Sequence, residues 1–315
     1  LSDDVHDSLL IGLEDPFWRN NKRVSESHSL LQESLARDER LQFLYTLTLF
    51  DRAYMMAGFG NGLELALDGS VDETENHPLL QDDRGDHFAG VNDEETGSRE
   101  LEALLGFGVV FDLKPDYESS VFPDQNAFRP MDLQRYHKDF AHVGFWFSHD
   151  RLSANEQALL SDISGDGSRN EKWRLGLVAE SVYDFETSVV AARFEYAHAV
   201  DGALRRDFWS VEASVTLPIA RFRYAESITP FMRLSGLTTN HDGPRISSTS
   251  LQGDINTALI VADREQITLG ASVEISRSIR LIFEYTYNDE DFQVVPGLTS
   301  DVANDLYLLA LHMSW

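Results

Sequence analysis

The sequence predicts an all-β chain, a transmembrane antiparallel up-and-down β-barrel of about 14 strands with long acidic outer loops. Three observations lead there. Apolar and polar residues alternate in segment after segment, several segments run about 10 residues, the length a tilted strand needs to cross a bilayer, and aromatic residues sit at the ends of the apolar faces. Soluble strands cluster near 5–6 residues, so the length is informative.

In chain order, the alternation begins with Leu41, Phe43, Tyr45, Leu47 and Leu49 and is extended by Leu63, Leu65 and Leu67. It continues with Leu101, Ala103, Leu105, Phe107, Val109, Phe111 and Leu113, set against Glu102, Gly106, Gly108 and Asp112. Trp173, Leu175, Leu177 and Ala179 follow, then Val190, Ala192, Phe194 and Tyr196, then Trp209, Val211, Ala213, Val215 and Leu217. The last segments carry Ile267 to Ile275, Ile279 to Tyr287 and Tyr307 to Trp315 at every second position. A period of two gives each segment one apolar and one polar face. In a soluble fold the apolar face turns inward; in a membrane barrel it meets lipid and the polar face lines the interior. Trp173, Trp209, Tyr196, Tyr287, Tyr307 and Trp315 are placed as an interfacial girdle would be.

The chain has 315 residues with 26 Lys+Arg against 53 Asp+Glu, a formal net charge of −27. A surface this acidic repels phosphate backbones, so no nucleic-acid partner is expected. Hydrophobic residues at 42% are too many for a disordered acidic chain, and cysteine is absent, which removes disulfides and thiol chemistry. No stretch approaches 18 consecutive apolar residues, so a membrane-spanning helix is not expected. The opening Leu1-Ser2-Asp3-Asp4 has no charged or apolar leader, and the expectation is an exported chain whose signal peptide has been removed. Residues 1–315 are expected to form one domain.

The final segment, Asp305–Trp315, ends on an aromatic residue with apolar residues at alternate positions before it. It resembles the last strand of the Gram-negative outer-membrane β-barrel superfamily, which includes the porins; no family within it is singled out. The resemblance implies an outer-membrane location, contact with outer-membrane lipid and lipopolysaccharide, both termini in the periplasm, short periplasmic turns and long outer loops. On that parity the outer segments are 15–40, 70–99, 150–171, 199–206, 238–245 and 289–304, with a short outer turn at Asp263–Glu265. Inner turns fall near 51–52, 183–185, Gly253-Asp254 and Ser276–Ser278. The long segment 115–141 breaks the rule, because parity puts it on the periplasmic side. It could hide a strand pair, plug the lumen or dock a periplasmic or envelope protein, so 12 or 16 strands also fit. Ser153–Leu160 and Ser29–Arg40 read as short helices within the outer segments.

The polar face carries Glu64, Glu102, Asp112, Glu180, Glu195, Glu212, Glu274 and Glu284, with Arg174, Arg193, Arg233, Arg280 and His312. Such charges would be costly in an apolar core and cost little against a wet lumen. With acids in excess, the expected function is a passive, cation-preferring conduit for small hydrophilic solutes. A closed barrel filled by a charged network is the competing reading, and a barrel that assembles with other envelope components is a third. Cofactors are not expected, apart from Ca2+ at the acidic outer loops. Asp162, Ser164 and Asp166 match the first three ligand positions of a calcium loop, but Trp173 stands where the bidentate acid belongs, and a Gly/Asp/Ser-rich turn explains them as well.

No enzyme is expected. A lipid hydrolase would need a nucleophile–base pair, and His142 and Ser148 are roughly 20 Å apart on a strand. His149 beside Asp150 is the remaining candidate base, with no adjacent serine. Gly58-Phe-Gly60-Asn-Gly62 reads as a strand kink rather than a phosphate loop.

Overall fold

The computed structural model describes residues 5–14, 40–50, 52–61, 101–113, 139–152, 157, 169–185, 187–219, 225–241, 263–276, 279–291 and 305–313. These form twelve strands: β1 (Val5–Glu14), β2 (Arg40–Leu49), β3 (Ala53–Asn61), β4 (Leu101–Asp112), β5 (Phe140–Arg151), β6 (Glu171–Asp184), β7 (Val189–Asp201), β8 (Leu204–Pro218), β9 (Ser227–His241), β10 (Asp263–Ser276), β11 (Ile279–Asp291) and β12 (Leu306–Met313). All twelve lie in one sheet in chain order, each antiparallel to its neighbours. β1 and β12 end the order, with no pairing between them among the described residues.

Two faces of opposite character result from the alternation. Large apolar side chains are exposed, among them Phe107 at 54% and Leu309 at 72%. Charged and polar ones on the other face are buried, with Arg174 and Glu284 at 1% and Arg233 at 2%. This is the reverse of a water-soluble sheet, in which apolar residues go inside. A twisted sheet of this width encloses one face by curling around it. Aromatic side chains flank the exposed apolar belt, with Phe50, Phe111 and Phe185 toward the end that holds the termini and Phe59, Tyr287 and Tyr307 toward the other.

The connections differ between the two ends. At the terminus end the links after β2, β6, β8 and β10 are short, and only that between β4 and β5, residues 113–139, is long. At the opposite end, called here the loop end, only the link between β7 and β8 is short. There Gly202, at φ 61°, takes the left-handed position that a two-residue hairpin turn requires.

Several expectations change. Twelve strands are described, within the 12 to 16 the sequence allows, and β9 pairs directly with β10. The turn expected at Gly253-Asp254 lies outside the described residues. Asp263–Glu265 opens β10 instead of forming a turn, since Arg264 already faces Leu237 in the ladder. The strand between β2 and β4 is Ala53–Asn61, so the Gly58–Gly60 stretch is a paired strand; Leu63, Leu65 and Leu67 lie outside the described residues. Within Ser153–Leu160, Gln157 is described and is helical. Arg40 opens β2, and the rest of Ser29–Arg40 is outside the described residues.

Candidate functional site

The enclosed face is the candidate site, and strand register arranges it in rows that cross the sheet. One row near mid-strand joins Glu180 on β6, Arg193 on β7, Glu212 on β8 and Arg233 on β9 as successive cross-strand neighbours. Acid and base therefore alternate across four strands. Arg193 donates to Glu180 at 2.7 Å and to Glu195, two residues on along its own strand, at 2.7 Å from Nη2 and 3.0 Å from Nε. Arg233 donates to Thr268 at 3.1 Å, and Thr268 is hydrogen-bonded to Thr286 at 3.1 Å. The row thus continues as neutral polar contacts onto β10 and β11. Val110 and His142 extend it the other way, and Tyr54 reaches across from β3 to form a 3.0 Å hydrogen bond with His142 Nε2.

That reach depends on glycine. Tyr54 lies over Gly108 and reaches Gly144, and Trp146 lies flat over Gly176; a Cβ at these positions would collide with the rings. The ring of Trp146 belongs to an apolar cluster on the same enclosed face, with Leu44, Tyr54, Met56, Leu104, Val178, Phe208 and Leu237. A second cluster, Val110, Phe140 and Val182 with Val189 and Ala191, lies toward the terminus end. The enclosed face is accordingly banded, with apolar belts between charged rows.

Toward the loop end, Asp150, Lys172 and Asp201 are successive neighbours in one row, and Ser148, Arg174, Ala199 and Arg206 in the next. Asp201 binds Arg206 at 2.5 Å and lies 3.6 Å from Arg174. Toward the terminus end, Glu274, Arg280 and His312 are successive neighbours across β10, β11 and β12, and Glu274 accepts from Ser227 at 3.0 Å. Asp112 pairs with Arg52 at 2.8 Å near the same end.

Of the expected wall residues, Glu102, Glu180, Glu195, Glu284, Arg174, Arg193 and Arg233 are buried on the enclosed face, Asp112, Glu212 and Arg280 are half-buried, and Glu274 and His312, near strand ends, are exposed. Glu64 lies outside the described residues, as do Asp162, Ser164 and Asp166. Lys172, Asp150, Asp201 and Arg206 are wall residues that sequence reasoning missed. The sequence alone sets Asp201 and Arg206 within the loop 199–206 and Asp150 beside His149 at the rim. In the structure His149 and Asp150 point to opposite faces, His149 exposed and Asp150 buried, so they form no pair.

A histidine–carboxylate pair does occur on the exposed face. His198 Nδ1 is 2.9 Å from Asp207 Oδ1, the same oxygen accepts from Tyr196 at 2.6 Å, and the Trp173 ring lies 5.2 Å from that of His198. Their spacing across two strands carries no local signal in the sequence.

No family model matches the chain, and no curated protein matches it. Among solved structures, the chain is similar to OmpTdeltaL8, a loop L8 deletion mutant of OmpT, an outer membrane protein of Vibrio cholerae. That match has TM-score 0.45 and 12% identity, covering 98% of this chain and 76% of the other. In-vitro folded OmpT in its trimer form gives TM-score 0.43 and 10% identity over 91% and 67% of the two chains. A further OmpT structure gives 0.35 and 10% over 99% and 96%.

Proposed function

We propose that the protein is an outer-membrane β-barrel whose enclosed face forms a narrow conduit for small hydrophilic solutes, with its loop end outside the cell. The observation that carries this reading is the direction of the ion pairs. Arg193 with Glu180 and Glu195, Arg174 and Arg206 with Asp201 each join residues of one strand or of neighbouring strands. Such pairs run along the wall, as the lining of an aqueous path does. The exposed apolar belt with aromatic side chains at both ends supports the membrane placement. Lys172 and Arg206 on the enclosed face are matched by Asp150 and Asp201, so acids still outnumber bases there, which supports a preference for cations.

A filled barrel is favoured by one observation of its own: the near-complete burial of Arg174, Arg233 and Glu284 beside the apolar belts. Single-channel current in a planar bilayer under a salt gradient separates the two. The conduit gives steady small steps with a cation-side reversal potential, which Glu212→Gln reduces. Silence across verified insertions would overturn the conduit and leave the filled barrel.

A further inference from the structure

Arg174 is 1% exposed, yet among the described residues its Nε, Nη1 and Nη2 have no hydrogen-bond partner, and its ion pair with Asp201 is long at 3.6 Å. A buried guanidinium offers five donors in a fixed fork, and leaving them unmatched is costly. Arg206 stands two strands away in the same cross-strand row, separated from Arg174 by Ala199, whose side chain ends at Cβ. Neighbouring strands are about 4.8 Å apart, so the two arginines flank a span of roughly 10 Å. Arg206 commits Nη2 to Asp201, and its Nε has no partner. Ser148 is the cross-strand neighbour of Arg174 on its other side.

The local charges balance, Arg174, Arg206 and Lys172 against Asp201, Asp150 and Glu102, so it is the unmatched guanidinium donors and not a net positive charge that call for an added acceptor. Asp201 is shared by both arginines. Lys172 separates Asp201 from Asp150 in the row toward the loop end. The row beneath is largely apolar, Trp146, Gly176, Ala197, Phe208 and Leu237, and Arg206 lies 5.6 Å over the Phe208 ring. An apolar floor strengthens the field of the guanidinium groups.

We propose that Arg174, Arg206 and Ser148 form an oxyanion-binding site on the enclosed wall near the loop end, taking a phosphate or carboxylate group of a solute. Two acceptor oxygens match the fork of Arg174, as they do in bidentate guanidinium pairs. The site faces the enclosed side, so its ligand is a solute and not a lipid headgroup. The site rests on the enclosed face being reachable by solutes, as the conduit does, and the two fail differently: conductance without phosphate binding sinks the site alone, and phosphate binding without conductance sinks the conduit alone.

The test is calorimetric titration of the refolded barrel in a zwitterionic detergent with inorganic phosphate, and separately with acetate, against sodium chloride at equal ionic strength. The expected result is saturable binding of one phosphate per chain. Arg174→Gln weakens it about tenfold or more, Arg206→Gln weakens it less, and Arg52→Gln, on the exposed ion pair at the opposite end, leaves it unchanged. Acetate binding at the same residues would mark a carboxylate site. Should Arg174→Gln not fold, Arg174→Lys keeps the charge and loses the fork, and is expected to bind phosphate more weakly than the parent. No phosphate heat beyond that of chloride, or unchanged affinity in the Arg174 variants, would overturn the proposal.

Discussion

Arg193 holds Glu180 and Glu195 at once, with Glu212 its cross-strand neighbour on the other side. Removing the guanidinium leaves carboxylates enclosed without their donor, which costs more than the bonds themselves contribute. Arg193→Gln is expected to lower the stability of the folded barrel by about 2 kcal/mol or more, read from urea unfolding in detergent. The Glu180→Gln, Arg193→Gln double variant should lose less than the sum of the two single changes, as coupled neighbours do. Gly176 makes the complementary point about space. The Trp146 indole occupies the place where a Cβ would sit, so Gly176→Ala must push the ring off the wall. A destabilisation of about 1–3 kcal/mol is expected, with a change in tryptophan fluorescence that Ala179→Gly, on the opposite face of the same strand, does not give.

At the scale of the strand, function and stability are assigned by parity. β4 exposes Leu101, Leu105, Phe107, Val109 and Phe111 and encloses Glu102, Leu104 and Val110. If the exposed face meets hydrocarbon, Phe107→Arg near the middle of the strand should cost about 2–4 kcal/mol for folding into lipid vesicles. In a water-soluble sheet the same exposed change would be near neutral. Equal stability of the variant and its parent in vesicles would therefore sink the membrane placement. The strands are long, from 8 residues in β12 to 15 in β8 and β9, which suits a tilted crossing. Turn chemistry is local and readable. Gly202 sits where a two-residue link needs a positive φ, although the sequence alone had set the wider 199–206 as a loop.

Across the whole molecule the enclosed face is a stack of unlike bands. Acid and base meet near the loop end, aromatic and aliphatic side chains form a belt below, an alternating charged row follows, and Glu274, Arg280 and His312 close the series at the terminus end. A solute moving along such a wall meets charge and apolar surface in turn. The planar-bilayer current already described reads whether water follows that path, and the phosphate titration reads whether one band captures an anion.

Fold class and the two faces of each strand are legible in the amino-acid order, and so is part of the wall, though not Asp150, Lys172, Asp201 or Arg206. Side chains alternate with period two, so one strand suffices to set Glu180 opposite Leu175, or Arg193 opposite Phe194. Register and connection were beyond it. A shift of one hairpin changes which residues become neighbours, and nothing local forbids it. It takes the paired strands to place β9 beside β10, to bring Glu180, Arg193, Glu212 and Arg233 into one row, and to turn Arg174 and Arg206 toward Asp201. Hydrophobic alternation acts within a strand, whereas the partners of a charge are set by hydrogen-bonded ladders between strands far apart in the chain.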